Sequence, residues 1–150
     1  MTLSDTITSI LDKKNGGIWS ISPDASVYDA IAMMADRRVG ALLVMSGGEL
    51  VGIISERDYA RKVVLAGKSS KDTPVEAIMT RDVLAVTPEH TVEDCMMIIT
   101  ENRIRHLPVL RGRQVIGVIS IGDLVRSIIS AQADTIDHLH TYIHGAAMVK

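Results

Sequence analysis

The chain has 150 residues and a formal net charge of −2, with 47% hydrophobic and 23% charged residues. This balance is typical of a globular domain with a core, and it lacks the basic surface and aromatic residues that nucleic-acid binding favours. We expect no membrane partner, because no apolar run approaches the roughly 20 residues that span a bilayer. The single cysteine and an N-terminus without a leader pattern predict a soluble, cytoplasmic protein.

An internal repeat with an offset of 65 residues organises the sequence. Residues 52–58 read Gly-Ile-Ile-Ser-Glu-Arg-Asp, and residues 117–123 read Gly-Val-Ile-Ser-Ile-Gly-Asp. The same offset aligns, without a gap, Pro23 with Pro88, Arg38 with Arg103, Leu42 with Leu107, and Arg61 with Arg126. Such a repeat indicates one structural unit written twice, so any site built on the shared residues should also occur twice.

The first copy predicts five elements. They are a strand at residues 18–21, a helix from Ser26, strands at 41–45 and 50–54, and a helix from Ser55 to Gly67. Apolar residues recur at helical spacing after Ser26. The Ser-Gly-Gly-Glu that joins the two longer strands is a hairpin signal.

The second copy repeats this order. Its elements are a strand at residues 84–86, a helix with Val92, Cys95, Met96 and Ile99 facing inward, strands at 107–110 and 115–119, and a helix at 122–131. The predicted domains are a first repeat at 14–66, a linker at 67–78, a second repeat at 79–131 and a C-terminal helical tail at 132–150; a short helical turn is expected at 75–79. Each repeat is β-α-β-β-α, so the predicted fold class is α+β, with small mixed sheets and apolar surface to bury against the twin repeat.

The Ser-x-x-Asp at each strand-to-helix junction has two interpretations. Ser55 and Ser120 stand where an N-cap belongs, and Asp58 and Asp123 fall at the third helical position, where a carboxylate completes a capping box. The same carboxylates could accept hydrogen bonds from the two hydroxyls of a ribose. The glycine before each serine would then let a ligand approach the strand closely. Recurrence of the pattern in both copies favours the functional interpretation.

The pattern resembles the cystathionine β-synthase (CBS) domain. It comprises a Pro before the first helix, a hydrophobic-Pro-Val strand (residues 107–109) and the Gly-h-h-Ser-x-x-Asp segment, where h is hydrophobic. Two such domains in tandem form a Bateman module, and the resemblance covers about residues 14–130. It implies a pseudo-twofold pair of repeats with two clefts between them that bind an adenosine nucleotide as a regulatory ligand. AMP is favoured, and ADP, ATP, NAD(H) or S-adenosylmethionine are possible.

The resemblance also implies which residues contact the nucleotide. The ribose would be bound by Ser55, Asp58, Ser120 and Asp123. The adenine would be contacted, largely through backbone and apolar groups, by Ile18, Ser20, Ala41, Leu42, Thr80, Val83 and Leu107. The phosphates would be bound by Arg38, Arg57, Arg61, Arg103, Arg105 and His106.

The phosphate-binding part is not duplicated faithfully. The second copy has Arg105 and His106 before its Leu-Pro-Val strand, whereas residues 40–44 of the first copy read Gly-Ala-Leu-Leu-Val. We therefore expect two related pockets of unequal charge. His106 would contribute more when protonated, and for each arginine a solvated helix-end charge is the alternative.

Other chemistry finds little support in the sequence. His138, His140 and His144 invite a metal interpretation, but a third ligand at suitable spacing is missing, and Ile136, Leu139 and Ile143 predict a helix that packs on a partner subunit. We expect no metal site. No common enzyme motif is present, and Cys95 is predicted to face inward, where it cannot act as a nucleophile.

The sequence therefore predicts a non-catalytic sensor in signal transduction or energy sensing. It would bind an adenosine nucleotide and signal through a homodimer or an unidentified protein target. The alternative is a structural dimerisation module without a ligand, whose Ser-x-x-Asp segments only cap helices.

Overall fold

The structure is a computed structural model that describes residues 3–14 and 17–144, with side chains described as far as residue 132. Among these residues the elements, in chain order, are α1 (Thr8–Lys13), β1 (Ser20–Ile21), α2 (Val27–Arg37), β2 (Ala41–Ser46), β3 (Glu49–Ser55), α3 (Glu56–Tyr59), α4 (Val92–Asn102), β4 (His106–Arg111), β5 (Gln114–Ser120) and α5 (Ile121–His144). This is the predicted α+β class with two small sheets.

The chain divides into two compact units. One comprises Gly16–Val86 and Pro108–Val118, and its three-stranded sheet has the order β1-β2-β3, with β1 parallel to β2 and β2 antiparallel to β3. The hairpin between β2 and β3 turns, as predicted, at Gly47 and Gly48, whose φ angles of 58° and 82° suit glycine. The core of this unit is formed by Val27, Ala30, Met34, Leu42, Val44, Ile54, Val63, Val75, Ile78 and Met79.

The other unit comprises Met1–Asn15, Thr87–Leu107 and Ile119–Lys150. Here α5 packs against both α4 and α1. The buried apolar side chains are those of Ile7, Ile10, Val92, Cys95, Ile99, Leu107, Ile119 and Leu124. Cys95 faces inward as predicted, whereas Met96 is only half-buried.

The strand expected at residues 84–86 is reduced to one bridge, in which Val86 pairs in parallel with Val109. The same pair in the first copy, 65 residues earlier, is Ile21 with Val44, the second of the two pairs that join β1 to β2. The two copies therefore keep the same strand register. They differ in how far the pairing extends.

The helices after the Ser-x-x-Asp segments differ between the copies. In the first copy α3 has four residues and continues as a π-helical segment, Ala60–Val64, whereas in the second copy α5 continues to His144. The turn expected at residues 75–79 is a short 3-10 helix, Val75–Ala77. No helix in the described part of the chain is both long enough and apolar enough to cross a membrane.

Candidate functional site

The first candidate site is built at the junction of β3 and α3. Ser55 has extended backbone angles and caps α3, since its hydroxyl oxygen accepts a hydrogen bond from the amide of Asp58 at 3.2 Å. The Asp58 carboxylate accepts in return from the Ser55 amide at 3.0 Å. The predicted capping box is therefore confirmed, and it fixes the Asp58 carboxylate at the end of β3.

The second copy repeats this geometry at the junction of β5 and α5. The Ser120 hydroxyl accepts from the Asp123 amide at 3.1 Å, and the Asp123 carboxylate accepts from the Ser120 amide at 2.9 Å. In each copy the first residue of this helix also donates a backbone hydrogen bond to the residue that precedes the first strand of the hairpin. Glu56 donates to the Gly40 carbonyl at 3.0 Å, and Ile121 donates to the Arg105 carbonyl at 2.8 Å.

The two oxygens of the Asp58 carboxylate have different kinds of partner. Oδ2 accepts from the amide and the hydroxyl of Ser55, and so belongs to the helix cap. Oδ1 accepts from Lys62 Nζ at 3.1 Å and from Thr80 Oγ1 at 3.4 Å. These partners of Oδ1 are side chains of exposed residues, which can rotate away, whereas Oδ2 is held by the backbone. One oxygen therefore serves the fold, and the other would become available to a ligand hydroxyl if these two side chains moved aside.

The segment that opens the second copy lies beside the carboxylate of the first copy. Thr80 pairs with Ile53 of β3 through two backbone hydrogen bonds of 2.8 and 3.0 Å, which brings its hydroxyl to Asp58. A Cβ atom on Gly52 would lie 2.7 Å from Met79 Sδ and 2.9 Å from the Thr80 carbonyl oxygen. Our expectation that this glycine makes room for a ligand is therefore wrong for the first copy, because the chain itself occupies the space.

The segment that opens the first copy lies beside the carboxylate of the second copy. Lys14 Nζ is 2.7 Å from Asp123 Oδ2, and Arg126 Nη2 is 2.8 Å from Asp123 Oδ1. The helix that carries Lys14 is anchored by its N-terminal end, where the Ile7 amide donates to the His90 carbonyl at 2.9 Å and the Thr8 hydroxyl donates to the Pro88 carbonyl at 3.1 Å. Both carboxylate oxygens of Asp123 thus carry a cation.

A cavity of about 410 Å³ opens beside Asp123. Its lining comes from one face of α1 and its C-cap and from one face of α5, and consists of Ile10, Lys13, Lys14, Asp123, Arg126, Ser127, Ser130 and Ala131. Three cationic side chains and one carboxylate meet here, so the cavity has a surplus of positive charge. It suits an anionic group.

Two ionisable groups at this site have shifted pKa values. Burial raises the pKa of the Asp123 carboxyl, but the Lys14 ammonium and the Ser120 amide outweigh it, so that its pKa lies below the ordinary value. Burial and the nearby Lys14 charge lower the pKa of His106, against an opposing effect of Asp123. His106 is therefore mainly neutral at pH 7 and offers a hydrogen bond rather than a charge.

The positions predicted to contact adenine fall into four groups. Ala41 pairs with Ser55 across the sheet, and Thr80 touches Asp58, so both lie at the first carboxylate. The side chains of Leu42 and Leu107 are buried in the core, which leaves only their backbone for a ligand. Val83 is half-buried and makes no described contact with either carboxylate.

Ile18 and Ser20 line a different cavity. Its volume is about 380 Å³, and the other lining residues are Met45, Gly48, Arg113, Gln114 and Val115. Neither Asp58 nor Thr80 belongs to this lining. The structure thus brings the predicted ribose residues of the first copy together with Ala41 and Thr80.

The predicted phosphate-binding residues also differ in their placement. Arg38 and Arg103 are exposed and end α2 and α4 with φ angles of 56° and 53°, in the left-handed region where glycine is the usual residue. Arg57 and Arg61 are exposed on α3 and the π-helical segment. Arg105 is exposed and His106 half-buried, both near Asp123.

Among the described residues no cluster of His, Cys, Asp and Glu could hold a metal ion. The side chains of His138, His140 and His144, and of Ile136, Leu139 and Ile143, lie outside the described part of the chain. Burial and the nearby Asp94 raise the pKa of the Cys95 thiol to about 11. This thiol is therefore not a nucleophile at neutral pH.

Three residues that contact the carboxylates were absent from the predicted site, namely Lys14, Lys62 and Arg126. Lys62 follows Asp58 by four residues and Arg126 follows Asp123 by three, and helical spacing places both beside the carboxylate. Lys14 is separated from Asp123 by 109 residues. Its sequence signal is its place at the start of the first copy, which matches that of Met79 at the start of the second.

Comparison with known proteins identifies the family. The family model described as the CBS domain matches residues 15–65 and 75–130. The mitochondrial CBS domain-containing protein CBSX3 of Arabidopsis thaliana is 42% identical over 149 residues, which cover 96% of this chain and 72% of the relative. The chain therefore belongs to the CBS domain family and carries the domain twice.

Solved structures agree with this assignment. A protein with CBS domains from Burkholderia ambifaria is 50% identical, with a TM-score of 0.83 over 85% of this chain and 96% of that chain. The CBS domain pair of protein MJ0100, in complex with 5′-methylthioadenosine and S-adenosyl-L-methionine, has a TM-score of 0.74 at 22% identity over 85% of this chain and 98% of that chain. The second likeness concerns the fold alone.

Proposed function

We propose that this protein is a non-catalytic regulatory module that binds an adenosine-containing nucleotide, with AMP as the favoured ligand. The ribose would be bound by Ser55 and Asp58 in the first copy and by Ser120 and Asp123 in the second. The proposal rests on the different partners of the two Asp58 carboxylate oxygens. Oδ2 completes the helix cap, and Oδ1 faces side chains that can move. Structural and ligand-binding roles are thus compatible in one residue.

A hydroxyl group already occupies the position expected for the ribose. Thr80 Oγ1 lies 3.4 Å from Asp58 Oδ1, longer than an ordinary O–H···O bond, so its replacement costs little. A ribose diol would gain the charge-assisted bonds that this hydroxyl makes only weakly. MJ0100, a protein of the same fold, binds two adenosine-containing molecules. This supports the ligand class and does not identify the ligand.

The structural alternative has its own support, because the capping boxes alone explain why Ser and Asp recur. A thermal-shift panel with AMP, ADP, ATP, NAD⁺, NADH and S-adenosylmethionine distinguishes nucleotide binding from a capping role alone. A ligand at about 100 times its dissociation constant stabilises the folded state by ~2.7 kcal/mol. If none of these compounds raises the melting temperature, the proposed function is wrong and the capping role suffices.

The capping box of α4 offers a matched control for the panel. Thr91 and Asp94 make the same reciprocal hydrogen bonds, of 3.0 and 2.9 Å, at an exposed helix start where we propose no ligand. Asp94→Asn, Asp58→Asn and Asp123→Asn each keep an acceptor for the cap and lose the charge. Ligand stabilisation should survive Asp94→Asn and decrease in the other two variants.

We further propose that the module signals as a homodimer or through a protein target. Met97 on α4 and Val125 and Ile129 on α5 are exposed apolar side chains of two helices that pack together, and such surface commonly marks an interface. Light scattering should give the mass of a dimer for the wild type and that of a monomer for Ile129→Lys. A monomeric wild type would contradict the homodimer. The predicted cytoplasmic location stays a prediction, since the A. thaliana relative is mitochondrial.

A further inference from the structure

The carboxylate of Asp123 is nearly saturated with hydrogen-bond donors. It accepts from the Ser120 amide, from Lys14 Nζ and from Arg126 Nη2. An ionised carboxylate offers about four lone-pair positions, and a ribose diol brings two donors. At least one cation must therefore leave Asp123 when a ribose binds there.

The Ser120 amide cannot be the group that leaves, because it belongs to the backbone at the start of α5. The displaced group must be Lys14 or Arg126. The Arg126 side chain is 73% exposed, so it can turn into water at little cost. The Lys14 side chain is only 32% exposed, so on leaving Asp123 it needs another anion to avoid an electrostatic penalty. A ligand that carries its own anion next to the ribose can supply it.

The position of α1 makes this exchange possible without unfolding the helix. Ile7 and Ile10 are buried, and backbone hydrogen bonds hold the segment before α1 to the start of α4, with Val92 donating to Asp5 and Glu93 to Leu3, both at 3.0 Å. Lys14 follows the last residue of α1 and lines the cavity with Lys13 and Arg126. Its side chain can rotate while the helix stays in place.

We propose that Lys14 and Arg126 select phosphate-bearing ligands at the second site. They occupy Asp123 in the empty site and transfer to the ligand phosphate when the ribose takes their place. This inference rests on the proposed function and adds to it a rule of specificity. A neutral nucleoside must displace a cation from Asp123 and offers that cation no other anion. S-adenosylmethionine brings a further positive charge into a cavity with three cationic side chains.

The first site follows a different rule. The cation at Asp58 is Lys62, which also donates to the Ile78 carbonyl at 2.9 Å and so keeps a partner when a ribose arrives. The other partner of Oδ1 is the uncharged Thr80 hydroxyl. Discrimination between phosphorylated and neutral ligands should therefore be strongest at Asp123.

The test measures the affinities of AMP, adenosine and inorganic phosphate by calorimetry in an Asp58→Asn background. This substitution weakens the first site, so that the measured binding is that of the second site. Lys14→Met, Lys14→Arg and the exposed Lys68→Met, a matched loss of charge, are compared in that background. We expect Lys14→Met to weaken AMP about tenfold, the effect of one charge-assisted hydrogen bond. The same substitution should strengthen adenosine binding, because the Lys14 ammonium no longer competes with the ribose hydroxyls for the Asp123 carboxylate. Lys14→Arg should restore the preference for AMP, and Lys68→Met should change neither affinity.

The outcomes separate the inference from the proposed function. If Lys14→Met changes both affinities in the same direction, or neither, the inference is wrong while the nucleotide site stands. If inorganic phosphate alone binds as tightly as AMP, the cavity is a plain anion site and the inference is also wrong. If the wild-type protein binds no adenosine compound, both proposals are wrong.

Discussion

The Thr80 hydroxyl lies 3.4 Å from the Asp58 carboxylate, although the two residues belong to different copies of the repeat. The relation is reciprocal, since Lys14, which opens the first copy, lies 2.7 Å from Asp123 of the second. Each carboxylate is thus completed by the segment that opens the other copy. One site receives a hydroxyl and the other an ammonium group, so two equivalent capping boxes become two sites of different charge.

The Asp58 site depends on the absence of a side chain at Gly52. Gly52→Ala would place a Cβ 2.9 Å from the Thr80 carbonyl oxygen and 2.7 Å from Met79 Sδ. We expect the free energy of unfolding to decrease by about 1–3 kcal/mol, as is usual for overpacking. Urea unfolding measures this, with Gly17→Ala as control, because its Cβ would meet Trp19 at an ordinary 3.6 Å. Equal stabilities of the two variants would contradict the close packing of Met79 and Thr80 against Gly52.

Arg38 is strained by its backbone conformation. Its φ of 56° lies in the left-handed region at the C-cap of α2, where glycine is the usual residue. Arg38→Gly should therefore raise the free energy of unfolding by a few tenths to about 1 kcal/mol. The neighbouring Arg37→Gly should lower it, because Arg37 is helical and stacks on Trp19 at 4.2 Å. Chemical denaturation should show opposite signs, and a loss of stability in both variants would contradict the strain at Arg38.

The half-buried His106 imidazole makes the free energy of unfolding depend on pH. Its pKa in the folded state is lower than the ordinary value, so the unfolded chain binds a proton more readily and stability decreases as pH falls below about 6.5. The loss stops once pH is below the lowered pKa of the folded state. His106→Gln should flatten this part of the profile when urea unfolding is compared at pH 7.5, 6.5 and 5.5. An unchanged slope would show that His106 does not contribute.

The single cysteine provides a probe of local opening. The Cys95 thiol is fully buried, and its pKa is raised to about 11, so the reactive thiolate is scarce at pH 8. We expect no reaction with a disulfide reagent in the native protein and complete reaction in denaturant. Rapid labelling of the native protein would contradict the packing of α4.

The sequence predicted those parts of the site that depend on nearby residues. The capping boxes at Ser55 and Ser120 and the hairpin at Gly47 and Gly48 follow from spacing and turn chemistry, because their partners lie within a few residues. Lys14 was missed because its partner is 109 residues away. No local pattern reports such a contact, and only the repeat, compared at its two opening segments, could have indicated it.

The role of Gly52 was misjudged for a related reason. A glycine indicates close approach by something, and the sequence does not identify what approaches. The structure identifies Met79 and Thr80. The shortened pairing at Val86 and the π-helical segment Ala60–Val64 were also not predicted, since both depend on tertiary packing rather than on local propensity.

Calorimetric titration of AMP tests most directly whether Asp58 and Asp123 bind the ribose. The proteins compared are the wild type, Asp58→Asn, Asp123→Asn, the double variant with both substitutions and the Asp94→Asn control. We expect Asp94→Asn to bind AMP as the wild type does. Asp58→Asn and Asp123→Asn should each weaken or remove binding at one site, and the double variant should abolish it. Unchanged AMP binding in the double variant would contradict the assignment of these carboxylates to the ribose.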